Sequence, residues 1–133
     1  MNSSSQATCP CGSTRSYAAC CAALHRRQAE QGLGAPDALA LMRSRYSAYV
    51  LDLGDYLLAT WHASTRPAHL PPNEPGLKWL GLDVKQHTPL DADHAEVEFV
   101  ARSKLGGRAH RLHERSRFVR ENGFWYYLDG VQS

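Results

Sequence analysis

Every thiol in this chain lies in one short run, "CPCGSTRSYAACC", at residues 9 to 21. Cys9 and Cys11 form a C-x-C pair, and Cys20 and Cys21 are adjacent after eight intervening residues. Two soft sulfur donors on each side of a short loop can close around one ion, and zinc takes four such ligands in a tetrahedron. Pro10 stiffens the first pair, and Gly12 and Ser13 supply turn chemistry directly behind it. A stretch this short cannot build an apolar core, so metal binding would supply its folding free energy. Four thiolates around one Zn2+ carry a local charge of about −2, which Arg15, Arg26 and Arg27 are near enough in sequence to offset.

Other thiol chemistries fit the spacing less well. Adjacent Cys20 and Cys21 are poorly placed to bridge, and a redox dithiol normally needs C-x-x-C, which is absent. His25, four residues after Cys21, is the alternative fourth ligand to a cysteine. "YAACCAALHRR" has helical composition and starts a short helix at the second cysteine pair. The expectation is one zinc held by Cys9, Cys11, Cys20 and Cys21. A closed four-sulfur shell has no open position for water, so its role is structural.

These residues also carry a resemblance. "CPCGS", Tyr17 and the following Cys20–Cys21 pair resemble the SEC-C motif, the small zinc module at the C-terminus of the SecA preprotein translocase ATPase. The lysine-rich filling of that module is here "STRSYAA", with only Arg15 basic.

The rest of the chain must fold without cysteine. Its 133 residues suit one domain plus a small appendage, and 43% hydrophobic with 21% charged residues reads as globular. A net charge of +2 does not argue for nucleic acid, and no apolar run approaches the length of a membrane span. "MNSSSQAT" has neither part of a secretory signal, so a reducing cytoplasm is the expected compartment. The predicted organisation is a zinc module at 1–28, a linker at 29–36 and an α+β domain at 37–133.

Asp37 is a helix N-cap, and Leu39, Met42, Tyr46, Tyr49, Val50 and Leu53 recur at helical spacing until Gly54 breaks the helix. "DYLLATW" (55–61) reads as a second, shorter helix, and the proline-rich 63–76 as a loop. The period then changes to strand, with Leu80, Leu82 and Val84 in one phase and Ala95, Val97, Phe99 and Ala101 in another. Gly106–Gly107 and Asn122–Gly123 signal two-residue hairpins.

Those two turns predict a register. Phe99 faces Glu114, Val97 faces Ser116 and Ala101 faces Leu112, while Phe118 pairs with Tyr127 and Arg120 with Trp125. Glu114 and Ser116 thereby fall on the apolar face that meets the helices, where an unpaired carboxylate is costly. Arg45, on the stripe Leu41–Arg45–Tyr49, is the expected direct ion-pair partner. Arg45, Tyr49, Glu114 and Ser116, with Trp61, His62, Trp125 and Tyr127, make the candidate pocket. The Arg111, His113, Arg115 and Arg117 stripe faces Glu96 and Glu98, which favours a solvated, partly neutralised sheet face over nucleic-acid binding.

"LMRSRYSAYV", "TWHASTR", "WLGL", "FVARS" and "HERSRFVRENGFWYYLDG" are similar to the YchJ-like family of small SEC-C proteins. The resemblance implies a nuclear-transport-factor-2-like (NTF2-like) fold, a curved antiparallel sheet wrapped on helices to form a cone; it carries no activity with it. The leading functional reading is a zinc-binding cytoplasmic adaptor with a protein partner, linked to protein export or translation. The alternative is a small-ligand receptor or enzyme using the cone. No catalytic set can be named. An adaptor should have a filled cone, and a receptor an open pocket with unpaired polar groups.

Overall fold

The structure, a computed structural model, describes residues 7–31 and 34–132, side chains of 27–31 excepted. A 3-10 turn at Tyr17–Ala19 leads into helix α1 (Cys21–Gln31), followed by α2 (Ala38–Val50) and α3 (Gly54–Ala59). Strands β1 (Lys78–Asp91), β2 (His94–Leu105), β3 (Arg108–Glu121) and β4 (Phe124–Gln132) form one antiparallel sheet in chain order. The α+β architecture is the expected one. Its curved four-stranded meander wraps one face onto α2.

The Asp37 carboxylate accepts from the Ala40 amide at 2.7 Å, capping α2 as its sequence position predicts. The helix stops earlier than expected, at Val50. Asp52 takes a left-handed φ of 61°, and Gly54 opens α3 rather than ending α2.

Both hairpins have the predicted two-residue loops. Gly106 and Gly107 have φ of 60° and 78°, and Asn122 and Gly123 have 53° and 83°, the double positive φ of a type I′ turn. The pairs Phe99–Glu114, Val97–Ser116, Ala101–Leu112, Phe118–Tyr127 and Arg120–Trp125 all form. On the opposite face His113 meets Glu98 at 2.7 Å and Arg117 meets Asp129 at 2.5 Å, so the basic stripe is partly neutralised.

Strand β1 departs from the expected phase. It is longer than the alternation suggested and carries three irregularities, leaving Leu80, Lys85 and Leu90 without partners in the ladder. Each extra residue bends an edge strand and raises its twist. The first bulge turns Leu80 out to 56% exposure and brings Trp79 to the core side beside Leu82 and Val84. Leu80 therefore does not share the core phase.

Ala38, Leu41, Met42 and Tyr46 of α2 pack on Ala95, Val97, Phe99, Ala101 and Phe118 of the sheet. The stretch expected as a linker is partly structured: α1 runs to Gln31, and Ala35 is buried in this core. Residues 32 and 33 of that stretch, and the side chain of Arg27, lie outside the described residues.

Candidate functional site

The cysteine cluster is built by local geometry. The amide of Cys9 donates to the Arg15 carbonyl and that of Tyr17 to Ala7, closing the loop that holds Cys9 and Cys11. Gly12 sits at φ 82°, and a side chain there would press within 3.1 Å of the Leu82 carbonyl on β1. Arg15 donates to the Ala19 carbonyl at the end of the 3-10 turn, beside Cys20 and Cys21. The four sulfurs all lie within 4.8 Å of one another, with Cys9, Cys11 and Cys21 buried and all four thiols free.

Their spacing fits a tetrahedral ion. Ligands about 2.3 Å from zinc sit about 3.8 Å apart, and Cys11 to Cys20 and Cys20 to Cys21 measure 3.6 and 3.9 Å. Without a cation the cluster is electrostatically crowded. The neighbouring Cys21 thiol lowers the Cys11 pKa to about 4, and the same interaction with burial pushes Cys21 upward. Burial also raises Cys20. Sulfurs that would otherwise contend for protons in a buried site are suited to a shared cation.

The motif's own loop and α2 together supply the surroundings. Ser47 Oγ lies 3.4 Å from the Cys9 sulfur, and Ser13 Oγ 3.2 Å from that of Cys20, both placed to donate to a thiolate. Arg43 Nη1 donates to the Cys11 carbonyl at 2.7 Å. His25 is engaged elsewhere. Its Nε2 donates to the Ser44 carbonyl at 2.8 Å, and its Nδ1 accepts from the Tyr17 hydroxyl at 2.7 Å. With its edge against Tyr56 and burial lowering its pKa, it is a neutral strut between module and domain. The alternative of His25 as fourth ligand is thereby corrected.

The second site is a cavity of about 260 Å³ between α2 and the sheet. Six aromatic residues line it: Tyr46, Tyr49, Trp79, Phe99, Phe118 and Tyr127, together with Met42, Ala101 and Leu112. Its polar wall is Arg45, Glu114 and Ser116.

Arg45 and Glu114 line this one cavity without forming the expected ion pair. Arg45, only 5% exposed, turns toward the end of α3, where Nη1 donates to the Leu57 carbonyl at 2.8 Å and Thr60 Oγ1 at 2.7 Å. The last carbonyls of a helix lack internal partners and carry the negative end of its dipole, so they compete well for a guanidinium. The rings of Tyr127 and Trp61 lie 4.6 and 5.1 Å from its central carbon. Burial lowers the Arg45 pKa, and Glu114 is only a minor opposing influence.

Glu114 is satisfied by hydroxyls instead. Its Oε2 accepts from Ser116 Oγ at 2.5 Å and, at 3.5 Å, from Tyr127. The carboxylate lies over Gly130, where any Cβ would overlap it. Segment 60–62 is tied to β4 by the Tyr127 amide donating to Thr60 and the His62 amide donating to Tyr127.

The other expected pocket residues stand back from the wall. Trp61 lies behind Arg45 against Tyr127. His62 faces outward, bonded to Ser64 and Glu121, each at 2.7 Å. Trp125 packs against the hydrophobic core. Sequence reasoning missed Thr60 and Trp79. Thr60 follows a six-residue helix too short to announce its end, and Trp79 needed the Leu80 bulge.

A four-cysteine cluster joined to a cone-shaped α+β domain defines the class, and comparison with known proteins agrees. The SEC-C motif matches residues 7–23, and the family model described as YchJ, middle NTF2-like domain matches residues 37–130. A UPF0225 protein of Methylibium petroleiphilum is 65% identical over 122 residues, covering 92% of this chain and 86% of the relative. One from Bordetella pertussis is 57% identical, covering 97% and 96%. The chain belongs to this YchJ-like UPF0225 family. Among solved structures, a SEC-C motif containing protein from Rhodopseudomonas palustris superposes with TM-score 0.80 at 32% identity, covering 95% of this chain and 98% of that one. One from Psychrobacter arcticus gives 0.79 at 33%, covering 99% and 86%.

The Arg45 geometry generates a prediction. In double-mutant cycles, Arg45→Met with Glu114→Gln should couple by less than ~0.5 kcal/mol, because the groups make no direct contact. Arg45→Met with Thr60→Val should couple by more than ~1 kcal/mol, the scale of a buried bond to a charged donor. Urea unfolding of the three single and two double variants, with the wild type, measures both.

Proposed function

We propose that this is a small-ligand-binding protein whose cone cavity is the binding site and whose cysteine cluster holds one structural zinc. The observation that carries the reading is the cavity itself. It is open, aromatic-walled, and has a guanidinium and a carboxylate that do not neutralise each other by contact. A cone built only as a scaffold for partner docking would bury such groups in a direct pair or replace them with apolar side chains. An adaptor role, with its link to export or translation, draws on the SEC-C resemblance alone.

On this reading residues 1–28 are the metal module and 37–133 the ligand-binding domain, working in the cytoplasm. Zinc is favoured over other cations by the all-sulfur donor set and its tetrahedral spacing. The ion would fix the cysteine loops against α2, with Ser13 and Ser47 orienting the sulfurs. No helix of the described residues is long and apolar enough to cross a membrane.

Two measurements follow. Elemental analysis of protein purified without chelator should give one zinc per chain, and Cys9→Ser together with Cys20→Ser should abolish it. A folded, reproducibly metal-free protein would contradict the zinc assignment. For the cavity, Ala101→Leu fills space at a wall position without adding charge. Native mass spectrometry after extraction from cells should find a small molecule on the wild type and none on Ala101→Leu. Equal occupancy in both would place the ligand elsewhere.

A further inference from the structure

We infer that the cavity takes a flat, net-neutral ring compound that offers a hydrogen-bond donor to Glu114 and an acceptor to Arg45. This rests on the ligand-binding reading above and adds the ligand's chemical class.

Charge balance comes first. Of the described residues lining the cavity, Arg45 and Glu114 alone carry formal charge, one of each sign. A ligand with net charge would leave one charge uncompensated among aromatic walls, where an unpaired ion is strongly disfavoured. A net-neutral molecule leaves the balance intact.

Hydrogen-bond capacity comes next. Arg45 commits Nη1 to Leu57 and Thr60, and its Nη2 and Nε have no protein acceptor among the described residues. Arg45 lines the cavity, whose other described lining residues, Glu114 and Ser116 apart, are aromatic or apolar. On the other side, Ser116 and Tyr127 both donate to Oε2 of Glu114, and Oε1 has no protein donor among the described residues. A guanidinium with spare N–H groups asks for an acceptor, and a carboxylate with a spare oxygen asks for a donor. The carboxylate is also held in place. Gly130 leaves the space it occupies, and two hydroxyls fix one of its oxygens, so the free oxygen is preorganised.

Shape completes the class. The cavity is at the small end of ligand sites, and Tyr46, Tyr49, Trp79 and Phe118 give it flat apolar walls. A compact fused ring buries well against them. A lactam edge, with N–H beside C=O, supplies donor and acceptor on one planar frame without net charge.

The test uses the full chain and four probes of similar size: carbostyril, its O-methyl ether, naphthoate and naphthylmethylammonium. Carbostyril has the lactam edge, the ether lacks the N–H, and the last two carry opposite charges. Affinities come from amide chemical-shift titrations, followed at Phe99, Ala101, Leu112 and Ser116. Carbostyril should perturb these amides and bind about tenfold more tightly than each of the other three, the worth of one bond to a charged group. In Glu114→Gln its preference over the ether should shrink to less than about threefold. Equal binding of the ether, or tighter cavity binding by either ion, would overturn the proposed chemistry and leave the ligand-binding reading standing. If no probe shifts the cavity amides at millimolar concentration, the ligand-binding reading falls and this inference falls with it.

Discussion

Helix α2 has to satisfy three different neighbours along thirteen residues, and most of the molecule follows from how it does so. Its apolar side meets the sheet through Leu41, Met42 and Tyr46. Another side is made of Ser44, Ser47 and Ala48, all fully buried. Small residues there let the cysteine module, α1 and α3 approach closely, and each hydroxyl has a partner. Ser44 bonds Tyr56 at 2.6 Å, and Ser47 faces the Cys9 sulfur. Serine weakens a free helix, so these residues belong to the docked state. Between the two sides Arg45 sends a buried cation to the end of α3. One helix thus fixes the cysteine cluster, the short helix and one wall of the cavity.

The placement of Arg45 explains why the cavity stays polar. A direct pair with Glu114 would have drawn both groups together and neutralised the wall. Two helix-end acceptors and two ring faces hold the guanidinium without a carboxylate, and two hydroxyls with Gly130 hold Glu114 without a cation. Each charge is supported independently, so each keeps capacity for something else. Buried ions retained in this way need local stabilisation from fixed dipoles, which the α3 terminus supplies.

How much of this was legible in the sequence depended on whether a local signal carried the information. Glycine and asparagine at the hairpins set register through backbone conformation alone, so Phe99, Glu114 and Ser116 were placed on the covered face correctly. Cysteine spacing gave the cluster for the same reason. The side-chain partner of Arg45 was not local. A long flexible side chain chose between a carboxylate across the cavity and the Leu57 carbonyl and Thr60 hydroxyl at the end of a six-residue helix, and residue spacing cannot rank those. Strand β1 misled at Leu80 because a bulge costs one residue of phase without changing composition. His62 is not a wall residue because it bonds to Ser64 and Glu121 instead, and Trp125 is not one because it packs on the core beside the cavity rather than lining it.

If α2 is held from both sides, loosening the module must loosen the helix before the sheet. Native-state hydrogen exchange on the whole chain, with metal bound and after chelation, measures this directly. Chelation should raise exchange at the amides of Ser44 to Ala48 by at least about tenfold, the signature of a local opening. The amides of Val97 to Ala101 in β2 should change far less. Unchanged protection across α2, or equal loss in helix and sheet, would contradict the account.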